Sequence, residues 1–335
     1  MAEEERATSS DTDQLALRDL VMSDAVRAIH LTIDTEWGSL QQSARQTAAA
    51  RALWGHVVND PLADVLAGEQ LLQGLYKKMR RDRMSNAKEV SGVMLAIRTL
   101  WFDARLQAAI ESFGGGHVQL VLLGAGMDAR AYRLSYLKET TIFELDFPDL
   151  IQLKSDLIRQ VVASSDNQTN LTVSSDRLIH VPADLREPNW LQKLTDSGFS
   201  PGTNTVWILE GILYYLSYDD AMQVLETIAR ALEKTAHAVL LADFMNKSAV
   251  SLSNDMYQFY SDWPDQLLPR IGFCNVKVSQ IGDSDANFGL LTDPENLFER
   301  RRKIPRSVDI DSLDGSPCCR LYLVEATESL SGEDS

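Results

Sequence analysis

The stretch LVLLGAGMDARAYRL, Leu120 to Leu134, constrains the fold more than any other part of the chain. An apolar run of strand length breaks at Gly124-Ala125-Gly126 and is followed by helical texture. Two glycines let the backbone turn tightly and approach a ligand where a Cβ would clash. Counted from Gly124 the loop reads G-x-G-x-x-A, with Ala129 in sixth place. Strand, glycine loop and helix open a doubly wound α/β unit that can hold a dinucleotide or another adenosyl cofactor. The loop alone does not choose between them.

The rest of the chain extends this pattern. From Gln14 to Phe113 the texture is helical, with an Ala-rich run, SARQTAAARALWGHVV, punctuated by Asp60-Pro61. A further helix is predicted over Val90–Phe113, ending at Gly114-Gly115-Gly116. After those glycines, short apolar runs alternate with helical or polar stretches. Strands are predicted at Gln119–Leu123, Thr141–Leu145, Leu178–Pro182, Thr205–Leu209, Ala236–Ala242, Cys274–Gln280 and Arg320–Ala326. Near-continuous apolar strands separated by helices imply a parallel sheet covered on both faces, with the last pair as an antiparallel hairpin. Ser217 can cap a helix whose Ala221, Leu225, Ile228 and Leu232 form one apolar stripe. The expected division is a disordered 1–13, a helical segment 14–113 and a cofactor domain 114–328. Within that domain 246–270 covers the cleft, and 329–335 is a disordered tail.

Charge and composition exclude several functions. A net charge of -16 across 335 residues disfavours a nucleic-acid surface, which needs clustered Lys and Arg. The basic runs YKKMRRDR and FERRRK read as solvated faces. Three cysteines and five scattered histidines offer neither a disulfide framework nor the spacing of a metal site. The acidic N-terminus lacks an apolar signal, and no apolar segment reaches the roughly 20 residues that span a bilayer. A cytosolic protein without a membrane partner is the expectation, so the sequons at Asn167 and Asn170 would go unused. The oligomeric state is not legible.

The ends of the strands decide the cofactor, because ligands of such sheets sit beyond the carboxyl ends at the switch point. Glu144 and Asp146 fall 20 and 22 residues after Gly124, where a carboxylate can accept both hydroxyls of a ribose. Asp184 and Leu185 close the third strand, as an acceptor for an adenine amine and an N–H for a ring nitrogen. Glu210 ends the fourth, in an apolar run where an unpaired carboxylate is costly. A cationic ligand would supply its partner, and so would a protein arginine. Acids after strands two and three suit S-adenosylmethionine (SAM), with its sulfonium and ammonium, better than a dinucleotide.

The segments LGAGMDARAYRL, ELDFPDLIQLK, ADLREPNW and EGILYYLS resemble the leucine carboxyl methyltransferase family. Upstream, TAAARAL, NDPLADVLAG and IRTLWFDARL match it too, especially its bacterial branch, so the resemblance spans roughly Thr47 to Phe244. The family includes enzymes that methylate the C-terminal leucine of protein phosphatases, and bacterial enzymes acting on small molecules. The resemblance implies a class I SAM-dependent methyltransferase: a Rossmann-like, doubly wound, mostly parallel seven-stranded sheet behind an N-terminal helical segment. It also implies that Gly124, Ala125 and Gly126 line the methionine portion of SAM, with Asp146 on the ribose and Asp184 and Leu185 at the adenine. Glu210 falls where the family has a cofactor-contacting acid. Arg98 matches an arginine used near a carboxylate, of SAM or of substrate. The phosphatase branch has a basic residue upstream of its D-P motif, for which Arg51 and Arg45 are the candidates here, and the region after Phe244 departs from that branch.

A carboxylate acceptor is already ionised at neutral pH and needs no general base. No histidine is placed for one, which favours O-methylation of a carboxylate on a small molecule or a peptide terminus. Tyr214 and Tyr215 border the expected acceptor pocket, and with Arg98 they are the candidate catalytic residues. The competing readings are an NAD(P)-binding oxidoreductase, from G-x-G-x-x-A, and a non-catalytic SAM-binding protein.

Overall fold

The computed structural model describes residues 22–327 except 88, 165–170, 233–236, 254–255 and 292–296. The segments expected to be disordered, 1–13 and 329–335, and the sequons at Asn167 and Asn170 lie outside the described residues.

Among the described residues the chain begins with helices α1 Asp24–Glu36, α2 Ser39–Leu53, α3 Ala63–Ala67, α4 Glu69–Met84 and α5 Val93–Ser112. Ser23 starts α1 by accepting the Val26 N–H, satisfying one of the free donors at a helix start. The Ala-rich run lets α2 sit close against its neighbours, with Ala48, Ala49 and Ala50 buried. Helix α5 starts three residues later than predicted because Gly92 takes a left-handed φ of 83° and breaks the run. None of the described helices is long and apolar enough to cross a membrane.

The sheet holds all seven predicted strands: β1 Val118–Leu123, β2 Thr140–Asp146, β3 Arg177–Pro182, β4 Asn204–Leu209, β5 Ala238–Met245, β6 Cys274–Gln280 and β7 Leu321–Thr327. Their order is β3-β2-β1-β4-β5-β7-β6. The first five run parallel, and β7 lies antiparallel to both β5 and β6. Strand β5 ends three residues beyond its predicted limit because β7 pairs with it as far as Met245.

Each strand divides its side chains between two cores, as a period of two requires. Val121, Leu123, Phe143, Trp207 and Leu240 enter one face, while Leu120, Leu122, Ile142, Ile208 and Leu241 enter the other. The first face is covered by α7 Trp190–Asp196, α8 Tyr218–Leu232 and α9 Pro264–Arg270, and the second largely by α5; α6 Pro148–Ser164 packs beside α1 and α3. In α8 the predicted stripe of Ala221, Leu225, Ile228 and Leu232 is buried, and Ser217 accepts the Asp220 N–H at 3.1 Å. Burying each large side chain of this kind is worth about 1.5–3 kcal/mol. The direction of winding reverses between β1 and β4, which opens a crevice above their carboxyl ends.

Candidate cofactor site

A cavity of about 280 Å³ lies in that crevice. Its floor is the glycine loop. Gly124 has a φ of 70°, and a Cβ on it would lie 2.7 Å from Ile212 Cγ1; on Gly126, with φ 51°, it would lie 3.4 Å from Ala44 Cβ. The amides of Gly124 and Ala125 donate to the Leu145 carbonyl, tying the loop to the end of β2. Gly124→Ala is expected to cost about 2–4 kcal/mol from the left-handed backbone and the collision with Ile212. Urea denaturation checks this, and an unchanged midpoint would contradict it.

Asp146 stands beside the loop. Its Oδ2 accepts the Gly126 N–H at 2.7 Å and its Oδ1 accepts the Phe147 N–H at 2.8 Å. Burial pushes its carboxyl up to about 6, against the opposing pull of those two amides and of Lys154. Glu144, two residues earlier, lies outside the cavity wall, because Lys154 holds both its oxygens at 2.9 and 2.8 Å. Asp184 lines the cavity at the end of β3 and grips the half-exposed Arg186 through both oxygens. The amide of Leu185 makes no hydrogen bond among the described residues.

Glu210 at the end of β4 meets protein arginines. Arg98 Nε donates to one oxygen at 3.1 Å and Arg130 Nη2 to the other. These guanidiniums outweigh burial and hold its carboxyl below the usual range. Arg98 is 3% exposed, and its Nη1 also donates to Asp243 at 3.0 Å and to the Tyr214 hydroxyl at 3.1 Å. Its Nη2 makes no hydrogen bond among the described residues. Arg130 further pairs with Asp103 and Asp128, and Arg133 with Asp103. Three guanidiniums therefore face four carboxylates (Asp103, Asp128, Glu210 and Asp243), of which burial pushes Asp243 above its ordinary value. With every acid ionised the group would carry one excess negative charge, which a net cationic ligand would offset.

The cavity unites the residues singled out in the sequence: Gly124, Ala125, Gly126, Asp146, Asp184, Leu185, Glu210, Arg98, Tyr214 and Tyr215 all line it. Of the two basic candidates upstream of Asp60-Pro61, Arg51 lines it and Arg45 does not. Arg51 donates to Asp60 at 2.7 Å and to the Met127 carbonyl at 2.5 Å, while Arg45 pairs with Asp34. Sequence reasoning missed Arg130, Asp128, Asp243 and Tyr257. Asp243 had a signal, as an acid at the end of the fifth strand. Two of the three partners of Arg130, Asp103 and Glu210, lie 27 and 80 residues away and gave none.

A seven-stranded sheet in this order, with an antiparallel β7 and an acid-ringed glycine loop at the β1/β4 switch, defines a class I SAM-dependent methyltransferase. A model of the family described as leucine carboxyl methyltransferase matches residues 41–229, and the chain belongs to that family. Two relatives carry the name "Putative S-adenosyl-L-methionine-dependent methyltransferase". One, from Mycolicibacterium vanbaalenii, is 34% identical over 266 residues, 77% of this chain and 80% of the relative. The other, from a Parafrankia species, is 37% identical over 148 residues, 44% of each chain, so the match spans less than half of that relative. Among solved structures, a DUF574 family protein from Streptomyces avermitilis is similar with a TM-score of 0.49 and 12% identity, over 86% of this chain and 97% of that one. The fold assignment rests on the sheet and the family match.

Proposed function

We propose that this enzyme transfers a methyl group from SAM to a carboxylate oxygen of a small molecule or a peptide C-terminus. The supporting observation is the state of the ionisable groups around the cavity. No histidine lines it. Glu210 and Asp128 are held low by arginines, overcoming their burial, Asp128 to about 2. Burial raises Tyr214 well above its ordinary value. Asp146 is nearest neutrality, but both its oxygens are engaged by backbone amides. An acceptor that must first lose a proton finds no free base among these groups. A carboxylate needs none.

The residues present fit SAM in order as well as in kind. Across the sheet, β3, β2, β1 and β4 are consecutive, and their ends span about 14 Å at the usual spacing between strands. Asp184 and the free Leu185 amide would take the adenine, and Asp146 the ribose hydroxyls. The backbone of Gly124, Ala125 and Gly126 would line the methionine portion, with Arg98 Nη2 on its carboxylate. Glu210, held by two arginines, would contribute the acid excess that favours the ammonium. SAM supplies a methyl carbon activated by its sulfonium: a carboxylate oxygen bonds to that carbon as the carbon–sulfur bond breaks, and the electron pair stays on sulfur. No proton moves. The protein contributes position and exclusion of water. The N-terminal helices and the segment 246–270 would recognise the acceptor. Three free cysteines, Cys274, Cys318 and Cys319, suit a reducing cytosol.

Incubation of the enzyme with methyl-labelled SAM and a cell extract, followed by mild alkali, tests the reaction. The expected product is an ester that releases its label as methanol. An alkali-stable label would establish a different acceptor. Nothing in the comparisons supports the NAD(P) oxidoreductase alternative.

A further inference from the structure

One end of the cavity is left over by the residues that fit the cofactor. Tyr214, Tyr215 and Tyr257 converge there, with ring centroids 4.7 to 5.0 Å apart. Tyr214 is committed, since its hydroxyl accepts from Arg98. Tyr215 and Tyr257 are half-buried and line the cavity.

Tyr257 arrives from beyond the segment that matches the family model, and backbone bonds fix its place. The Gln258 amide donates to the Tyr214 carbonyl at 2.8 Å, and the Phe259 amide to the Leu216 carbonyl at 3.1 Å. The Tyr257 amide itself donates to Ser253 Oγ at 3.0 Å. These anchors are made by the backbone and do not depend on the phenol, which itself hydrogen-bonds the Tyr215 side chain.

The remaining wall limits what can bind. Leu40, Met94, Met245 and Leu321 supply apolar surface, and Gln41, Ser43, Gln46 and Thr47 supply polar groups without charge. Among the described residues, every guanidinium that lines the cavity already holds a protein carboxylate: Arg51 holds Asp60, Arg98 and Arg130 share Glu210, Arg133 holds Asp103, and Arg186 holds Asp184. In the reading above Arg98 Nη2 goes to the carboxylate of SAM, so the acceptor's own carboxylate falls to neutral donors, and a second anionic group would be left unpaired, which is costly. The whole cavity, at about 280 Å³, lies just below the usual range of ligand pockets, roughly 300–1,000 Å³, and the cofactor must share it.

A carboxylate that is to act as nucleophile is best held by neutral donors, because a guanidinium would draw off its charge. The Tyr257 phenol is such a donor: burial first, and then neighbouring Tyr215, push it above its ordinary value and keep it protonated. Resting on the carboxylate reading above, we infer that Tyr257, with Tyr215, binds the methyl acceptor, a compact monocarboxylic acid with no second charge, whose carboxylate accepts from their hydroxyls.

The test uses the full chain, methyl-labelled SAM and a panel of compact alkyl and aryl monocarboxylic acids, with matched alcohols and amines. The wild type is expected to label these acids as esters. Tyr257→Phe is expected to raise KM for the acid at least tenfold while kcat changes little, as loss of a hydrogen bond to a charged group predicts. SAM affinity, read by calorimetry, should stay within about twofold, which separates an acceptor contact from a disturbed fold. Labelling of acids with an unchanged KM in Tyr257→Phe would overturn the inference and leave the carboxylate reading standing. Labelling confined to alcohols or amines would overturn both. No labelling of any panel member would overturn the assignment of the acceptor class.

Discussion

Asp146→Ala is expected to weaken SAM binding roughly 100-fold or more, because hydrogen bonds to a charged group contribute about 1.5–3 kcal/mol each and two ribose hydroxyls would be lost. The substitution also frees the Gly126 and Phe147 amides that Asp146 accepts, so the glycine loop loses an anchor. Calorimetric titration with SAM measures the effect, and unchanged affinity would refute the ribose assignment. The same carboxyl makes binding depend on pH. Burial raises it to about 6, and only the ionised form accepts from both hydroxyls. Affinity should therefore be level above about 6 and fall toward tenfold per unit below it; Asp146→Asn should bind weakly at every pH. The sign for stability is opposite. A carboxyl raised in the folded chain above its ordinary 3.8 weighs against folding at pH above about 6, and that penalty fades as pH falls toward 3.8.

Arg130→Met is expected to destabilise the fold by about 3–5 kcal/mol, the usual cost of removing one partner from a buried charge network. Arg130 is 2% exposed and pairs with Asp103, Asp128 and Glu210 together. Methionine fills similar space but leaves three carboxylates facing one another with little water. Burial would raise Asp128, yet Arg130, then Lys154, Arg133 and Arg51, hold it at about 2. In the wild type this depressed group contributes stability above about 3.8, which is lost as pH falls through about 2. In the variant the sign reverses: the stranded acids take up protons, and the deficit shrinks as pH falls toward 5. Urea denaturation at pH 7.5 and pH 5 checks both the size and the trend. A deficit below 1 kcal/mol at pH 7.5 would show that Arg98 and Arg133 alone balance these acids.

Much of the fold was legible because its signals are local. The strand before Gly124, the positive φ of that loop and the acid ending each following strand all lie within short runs, and a parallel sheet places such ends along one edge. The hairpin of β6 and β7 was legible for the same reason, although their pairing joins residues nearly fifty positions apart.

Glu210 marks where local reading stops. Its position in an apolar run demanded a partner, and both a cationic ligand and a protein arginine met that demand. The fold brings Arg130 and Arg98 to it from 80 and 112 residues away. Tyr257 is similar: it lies in an irregular aromatic stretch and enters the cavity only because backbone bonds bind 258–259 to the turn after β4.

By itself, then, the sequence determined the order of strands and helices, the glycine turn and the acids at the strand ends, since these follow from periodicity and from side chains close to their own backbone. Only the tertiary structure decided which charges neutralise which and what closes the far end of the cavity. Both depend on contacts between distant segments, and Coulomb attraction at a buried site is set by separation in space and loss of water, neither of which a linear spacing carries.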